Sequence, residues 1–297
     1  MKNKLLLIIN PKSGKGAAKK YLYDMVRVFN EGGFDVTVYP TKDKAGTIKT
    51  VANKAADYGL VVCCGGDGTL NEVISGIVSK QHVTPVGYIP MGTTNDFSNT
   101  LGLSHNPVQA AKEIVTGRVV RYDIGSFGDK YFTYIAATGA FTEASYATPQ
   151  KLKNTVGHFA YVLEGAKDLV KIKPFKLKVC FDGNVLSGEY IYASVSNTTS
   201  VGGIVKLEKK EVNTSDGCFE LILVKKPANA SEAVKLAADI LRNRLNNNNV
   251  SLLHASKVEM CFDKPMAFTL DGENGGEHKK IEIEDIRGAL RLVVPSK

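Results

Sequence analysis

Val61-Val62-Cys63-Cys64-Gly65-Gly66-Asp67-Gly68-Thr69-Leu70-Asn71-Glu72 is an apolar run that breaks into glycines around one aspartate and resumes at helical spacing. Residues 60–64 are apolar enough for a strand buried on both faces, and Leu70, Val73, Ile74, Ile77 and Val78 repeat like one face of an amphipathic helix. The stretch therefore reads as strand, tight turn, helix. In an open parallel sheet such a turn lies at the carboxyl edge, where the next helix offers N–H groups without helical partners and the positive end of its dipole. Phosphate suits that place. Gly65, Gly66 and Gly68 keep side chains out of the way and Thr69 adds a hydroxyl, whereas Asp67 repels a bare phosphate unless a metal ion offsets its charge. A glycine-rich turn with a capping aspartate is the plain alternative for these residues alone.

Working outward, the same pattern recurs on both sides. Residues 4–9 form a buried-type strand that runs into Asn10-Pro11-Lys12-Ser13-Gly14-Lys15-Gly16, followed by a helical stripe of Tyr21, Leu22, Met25, Val26 and Phe29. That loop lacks the Gly-x-x-x-x-Gly-Lys-Ser/Thr spacing of a Walker A loop and the third glycine of the dinucleotide fingerprint. Residues 34–39 alternate as a strand ending at Pro40-Thr41, and residues 86–89 form a short strand before Gly92-Thr93-Thr94-Asn95-Asp96-Phe97. Three strand, loop, helix units specify a parallel sheet with helices on both faces, and right-handed crossovers bring the loops to one edge. Asn106 caps a helix with Pro107 at its first position. Beyond it the texture changes to hairpins: 119–127 and 130–137 joined by Gly128-Asp129, then strand-like 175–181, 185–196, 218–224, 258–262, 266–270 and 280–286, with helices near 158–170 and 231–244. The expected fold is α/β plus β: a Rossmann-like doubly wound parallel sheet over residues 1–128, then a mainly antiparallel, β-sandwich-like domain over 129–287.

Length and composition agree with two domains. A chain of 297 residues, 43% hydrophobic and 23% charged, can bury two cores. The apolar run at 5–9 stops at Asn10-Pro11, and no stretch approaches the ~18 residues of a membrane span, so a cytosolic protein is expected. Five cysteines without Cys-x-x-Cys spacing read as reduced packing residues. The net charge of +8 suits phosphorylated ligands or an anionic membrane surface; the lysines lack the aromatic interleaving of single-strand binders, and nucleic acid is not expected as a partner.

Gly65-Gly66-Asp67-Gly68-Thr69 resembles the nucleotide-binding signature shared by diacylglycerol, sphingosine and NAD kinases and 6-phosphofructokinases. With Gly92-Thr93-Thr94-Asn95-Asp96-Phe97, Asp123-Ile124-Gly125 and Asp271-Gly272-Glu273 following in order, nearly the whole chain resembles the soluble bacterial diacylglycerol kinases and related lipid kinases. The resemblance implies ATP-dependent phosphorylation of a lipid hydroxyl, with diacylglycerol as the leading substrate, by a cytoplasmic enzyme touching the membrane surface. It implies ATP contacts at Asn10, Pro11, Lys12, Ser13, Gly14, Thr41, Gly66, Asp67, Gly68, Thr69, Leu70, Asn71, Glu72, Thr94 and Glu273. A magnesium network would use Asp67, Asp96 and Asp123, largely through water. A second, structural magnesium would use Asp216 with the carbonyls of Asn213 and Cys218. Asp271 would be the general base, and its Asp→Asn change is then expected to leave folding normal. The resemblance also allows segment 288–297 to return to the first domain and allows a homodimer through an exposed strand edge. Phe141, Tyr146 and Val201 are candidates for a lipid groove, while His158 reads as a packed or capping residue. An NAD kinase-type enzyme and a non-enzymatic nucleotide- or lipid-binding protein remain open alternatives.

Overall fold

The structure, a computed structural model, describes residues 3–92, 95–140, 167–197, 200–201, 205–206, 215–242 and 244–296. The chain divides into two compact units, residues 1–124 with 286–297, and residues 125–285.

In the first unit β1 (Lys4–Ile9), β2 (Asp35–Pro40), β3 (Leu60–Gly65) and β4 (Val86–Pro90) alternate with α1 (Ala17–Glu31), α2 (Lys44–Lys54) and α3 (Asp67–Ser79); α4 (Asp96–Leu101) and α5 (Pro107–Thr116) follow. The strands are parallel in the order β2-β1-β3-β4. The end of β15 (Glu273–Val294) continues the sheet in parallel, with Leu292 opposite Val86. Strand order reverses between β1 and β3, the switch point at which open sheets leave a crevice beyond their carboxyl ends. Leu5, Leu7 and Ile9 of β1 and Leu60, Val62 and Cys64 of β3 pack with Met25 and Phe29 of α1 and with Ala110, Ala111 and Ile114 of α5. The alternate residues Leu6, Ile8, Val61 and Cys63 are buried on the other face. Each contributes about 1.5–3 kcal/mol, so burial on both faces is what fixes this sheet. Gly76 of α3 touches Val51 of α2 so closely that a Cβ there would lie 2.7 Å from the Val51 side chain. Asn106 caps α5 by accepting from the Val108 and Gln109 amides.

The second unit is antiparallel. β7 (Ile135–Gly139), β9 (Asn184–Ser196), β12 (Phe219–Lys225) and β13 (Val250–Ala255) are neighbours in that order, β7 also pairs β14 (Lys257–Leu270), and β14 pairs β15. β8 (Phe175–Phe181) pairs both β9 and β14, the end of β5 (Arg118–Phe127) pairs β6 (Lys130–Phe132), and the short β10 (Ser200–Val201) and β11 (Val205–Lys206) pair with each other. Phe127, Phe132, Phe175, Phe219, Phe262 and Phe268 form one core. Tyr192, Ile222 and Val224 form another with Leu236 and Ala237 of the helix Ala230–Leu241.

The structure adds two elements that the sequence reading lacked, α4 and β13, the helix expected near 158–170 lies mostly outside the described residues, and three expected strands differ in extent. The strand expected over 130–137 is split, because the amides of Thr133 and Tyr134 turn to the Asp271 carboxylate. The strands expected at 258–262 and 266–270 are one strand, β14, whose register against β15 shifts between Cys261 and Met266. Pro265, which has no N–H to donate, lies inside that irregularity. Likewise β15 runs unbroken through the expected stop near residue 286. All five cysteines are free, and burial pushes the Cys64 thiol up to about 12.

Candidate functional site

The loops of the first unit meet at the switch point. The Asn10 backbone N–H donates to the Cys64 carbonyl (2.9 Å), and its side-chain Nδ2 donates to Thr69 Oγ1 (3.0 Å). The loop after β1 folds back on that asparagine: the Lys12 amide donates to Asn10 Oδ1 (3.0 Å) and the Ser13 amide to its carbonyl (3.1 Å). Pro11 is half-buried between them, and Gly14 follows at φ +60°, a left-handed conformation that glycine accepts without strain. Thr41 joins from β2 through its amide on the Ile9 carbonyl (2.8 Å).

The third loop is tied to the same place. The Met91 amide donates to the Gly65 carbonyl (2.7 Å), and Gly66 and Gly92 approach so closely that a Cβ on Gly92 would lie 2.8 Å from the Gly66 Cα. Asn95, at φ +52°, closes the turn by accepting from the Gly92 amide (2.8 Å) and donating to the Gly92 carbonyl (2.9 Å). α3 starts at Asp67, and the Leu70 amide makes a helical bond to the Gly66 carbonyl. Asp67 and Gly68 are half-buried, Thr69, Leu70 and Asn71 are buried, and Glu72 is half-buried. Asn10 and residues 66–72 thus meet at the first turn of α3, with Lys12 and Ser13 folded onto Asn10.

Asp123 is fully buried in β5 and accepts from the Gly288 amide (2.5 Å), which holds the returning end of β15. Asp96 opens α4. Thr94, Asn213, Phe141, Tyr146 and His158 lie outside the described residues.

In the second unit Asp271 and Gly272, at φ +51° and +81°, are the two turn residues of the β14–β15 hairpin, with Leu270 opposite Glu273. The Asp271 side chain is buried. Its Oδ2 accepts from the Thr133 amide (2.6 Å), and its Oδ1 accepts from the amides of Tyr134 (2.9 Å) and Ile135 (3.0 Å). Three donors on one carboxyl group suit its ionised, acceptor-only form. These bonds give Asp271→Asn a stability cost that the sequence alone does not show: an amide NH2 in this place would face a backbone donor. Glu273 is exposed at the start of β15.

Asp216 is exposed and its Oδ1 accepts from the Cys218 amide (3.1 Å). Close by in sequence, Glu220 is 2% exposed, and its Oε2 has no hydrogen-bond partner among the described residues. Burial pushes the Glu220 carboxyl up to about 8; its own backbone amide opposes this, and the charges of Asp216 and Asp285 reinforce it. Among the described residues no three His, Cys, Asp or Glu side chains converge as a metal-binding group.

Sequence reading passed over Tyr88, Glu220 and the amides of 133–135. A tyrosine within a buried strand reads as core, a glutamate in an alternating strand reads as solvent-facing, and backbone donors leave no mark on residue identity.

Residues 4–127 match the family model of the diacylglycerol kinase catalytic domain, and residues 136–294 match the YegS C-terminal NAD kinase beta sandwich-like domain. A protein named diacylglycerol kinase from Bacillus subtilis (strain 168) is 35% identical over 274 residues, covering 91% of this chain and 89% of that protein. A second of that name, from Staphylococcus saprophyticus, is 35% identical over 280 residues, covering 93% of this chain and 91% of that protein. A crystal structure of a candidate diacylglycerol kinase from Bacillus anthracis str. Sterne superposes with a TM-score of 0.81 at 26% identity, covering 99% of this chain and 98% of that one. With both halves matched and relatives spanning almost its whole length, the chain belongs to the diacylglycerol kinase family.

Proposed function

We propose that this lipid kinase transfers the γ-phosphate of ATP to the free hydroxyl of diacylglycerol, giving phosphatidic acid and ADP. The observation that carries the reading is the Asn10–Thr69 hydrogen bond, which draws two glycine loops together at the start of α3, on the switch point of a Rossmann-like sheet. On this reading Asn10 to Gly14, Thr41, Gly66 to Glu72 and Thr94 cradle the phosphates with amides and hydroxyls, and Glu273 contacts the nucleotide. Asp271 accepts the proton as the lipid oxygen bonds to phosphorus and the bond to ADP breaks. Three amides hold its carboxylate in one orientation, which is the geometric requirement for a base.

The acidic oxygens present fit a hard divalent cation. Asp67 stands at the helix start that would face the phosphates, Asp96 and Asp123 would complete the network, and the Glu220 oxygen, without a hydrogen-bond partner among the described residues, suits a second cation with Asp216. When bound, magnesium would neutralise phosphate charge, and it would be held largely through water. The lipid is met at the membrane surface: among the described residues no helix is long and apolar enough to cross a membrane, and the net charge of +8 favours an anionic leaflet.

The test is transfer of labelled γ-phosphate from Mg-ATP to mixed micelles of single lipids, with NAD as a separate acceptor. Label in diacylglycerol supports the reading. Label in NAD alone overturns the acceptor, and label in another lipid overturns the substrate while keeping the reaction class.

A further inference from the structure

Tyr88 lies in β4, 1% exposed, with its side chain directed toward the two loops that the site brings together. Its hydroxyl is 3.4 Å from Asp67 Oδ1 and 3.5 Å from Asn95 Oδ1. One hydroxyl hydrogen thus stands between two acceptors of different strength. Asp67 carries charge, whereas the Asn95 oxygen already accepts from the Gly92 amide at 2.8 Å. The charged acceptor is the stronger partner, and hydrogen bonds to ionised groups are roughly twice as strong as neutral ones. A core tyrosine needs only to fill volume; phenylalanine would do that equally well. The phenol here ends where an aspartate at a helix start and an asparagine closing the next loop come within reach of one atom.

We propose that Tyr88 is a positioning residue that holds the Asp67 carboxylate and links its orientation to Asn95, which is itself bonded to Gly92. Were Asp67 to hold a cation, the hydroxyl would have Asn95 Oδ1 within reach as its other acceptor without displacement of the ring. Burial, reinforced by the Asp67 charge, pushes the phenol far above its ordinary range, and it stays a donor throughout. This inference rests on the nucleotide-site reading of the first unit and is independent of which acceptor is phosphorylated.

The experiment compares the full-length chain with Tyr88→Phe. Magnesium chloride is titrated at fixed ATP while the thermal midpoint is followed, and turnover is measured in the label-transfer assay. The magnesium concentration giving half of the added thermal shift should rise about fivefold and kcat should fall about five- to tenfold, with KM for ATP within about twofold. A variant that is less stable without ligands but has an unchanged magnesium midpoint and kcat overturns the proposal, since it shows a packing role only. A double-mutant cycle with Asp67→Asn, read by urea unfolding without ligands, gives a second criterion. Coupling between the two changes supports the contact, and strict additivity overturns it. Wild-type chain that labels no lipid while the magnesium midpoint still shifts in Tyr88→Phe sinks the lipid reading and supports the positioning role. Normal lipid labelling by both proteins with equal midpoints does the reverse.

Discussion

Asp182-Gly183 and Asp271-Gly272 are the same local structure twice. Each pair occupies a two-residue hairpin turn with both residues left-handed, at φ +42° and +83° in the first and φ +51° and +81° in the second. Each aspartate also spends its carboxylate on donors far away in the chain: the Ser256 amide and hydroxyl and the Lys257 amide for Asp182, the amides of 133–135 for Asp271. They differ in surroundings. Asp182 is exposed, whereas Asp271 is buried. The turn and its hydrogen bonds are thus architectural in both, and the setting is what separates them: Asp271 is the one to which the proposed function gives the role of base. Local sequence identity cannot separate the two; burial can.

The comparison breaks if both aspartates matter equally to turnover. Asp271→Asn is expected to lower kcat by roughly 10² to 10⁴, the scale of a positioned base, while Asp182→Asn stays within about twofold. The label-transfer assay on both proteins checks this, and equal losses would reduce Asp271 to a hairpin latch.

A third carboxyl sharpens the contrast from the opposite side. Glu220 is buried with no partner for Oε2 among the described residues, and burial raises its folded-state carboxyl to about 8 from an ordinary 4.5. A raised carboxyl binds its proton more tightly in the folded chain, so its stability contribution is complete below 4.5 and is lost as pH rises through about 8. Glu220→Gln cannot titrate. Between pH 5 and 8 the wild type should lose up to about 1.4 kcal/mol per pH unit relative to the variant, measured by urea unfolding in magnesium-free buffer. A constant gap across that range would remove Glu220 from the titrating groups.

Stability itself gives the next effect. Asp271→Asn should cost about 1–3 kcal/mol, because a buried acceptor is replaced beside backbone donors that then lack one. Urea midpoints with unchanged m-values would measure it. The smallest effect falls to Asp182. Burial alone would raise its carboxyl, but the bonds from Ser256 and Lys257 outweigh this and hold it below the ordinary 3.8. Its contribution is therefore present above 3.8 and lost as acid carries the pH below it. Asp182→Asn should be slightly less stable than wild type at pH 7, with the gap closing in the acid range.

Periodicity made the first unit legible. Strands β1, β3 and β4 are buried on both faces, so their apolar runs stand out, and each runs into a loop rich in glycines and hydroxyls, whereas β2 is a more exposed edge strand read from its alternation. The second unit was legible as hairpins but not in its strand lengths. Strands β14 and β15 carry proline, glycine and charged residues that read as stops, yet pairing on distant neighbours carries the backbone through them. The commitment of Asp271 was hidden for the same reason, because its partners are backbone amides more than 130 residues away. Tyr88 was hidden differently: a ring that fills a core and a hydroxyl that reaches a carboxylate are one letter in the sequence.

The return of β15 beside β4 has a consequence for how the protein is made. Residues 1–124 leave the ribosome before the strand that borders β4 exists, and all of 125–285 must be synthesised in between. During that interval β4 shows an open row of N–H and C=O groups at the edge of an apolar sheet, a template for pairing with another nascent chain. The second unit is contiguous and has its own aromatic core, so it can close as soon as it emerges. Translation order is thereby inverted in folding order: the half that is made first is the half that is finished last, and chaperone demand should centre on that waiting edge.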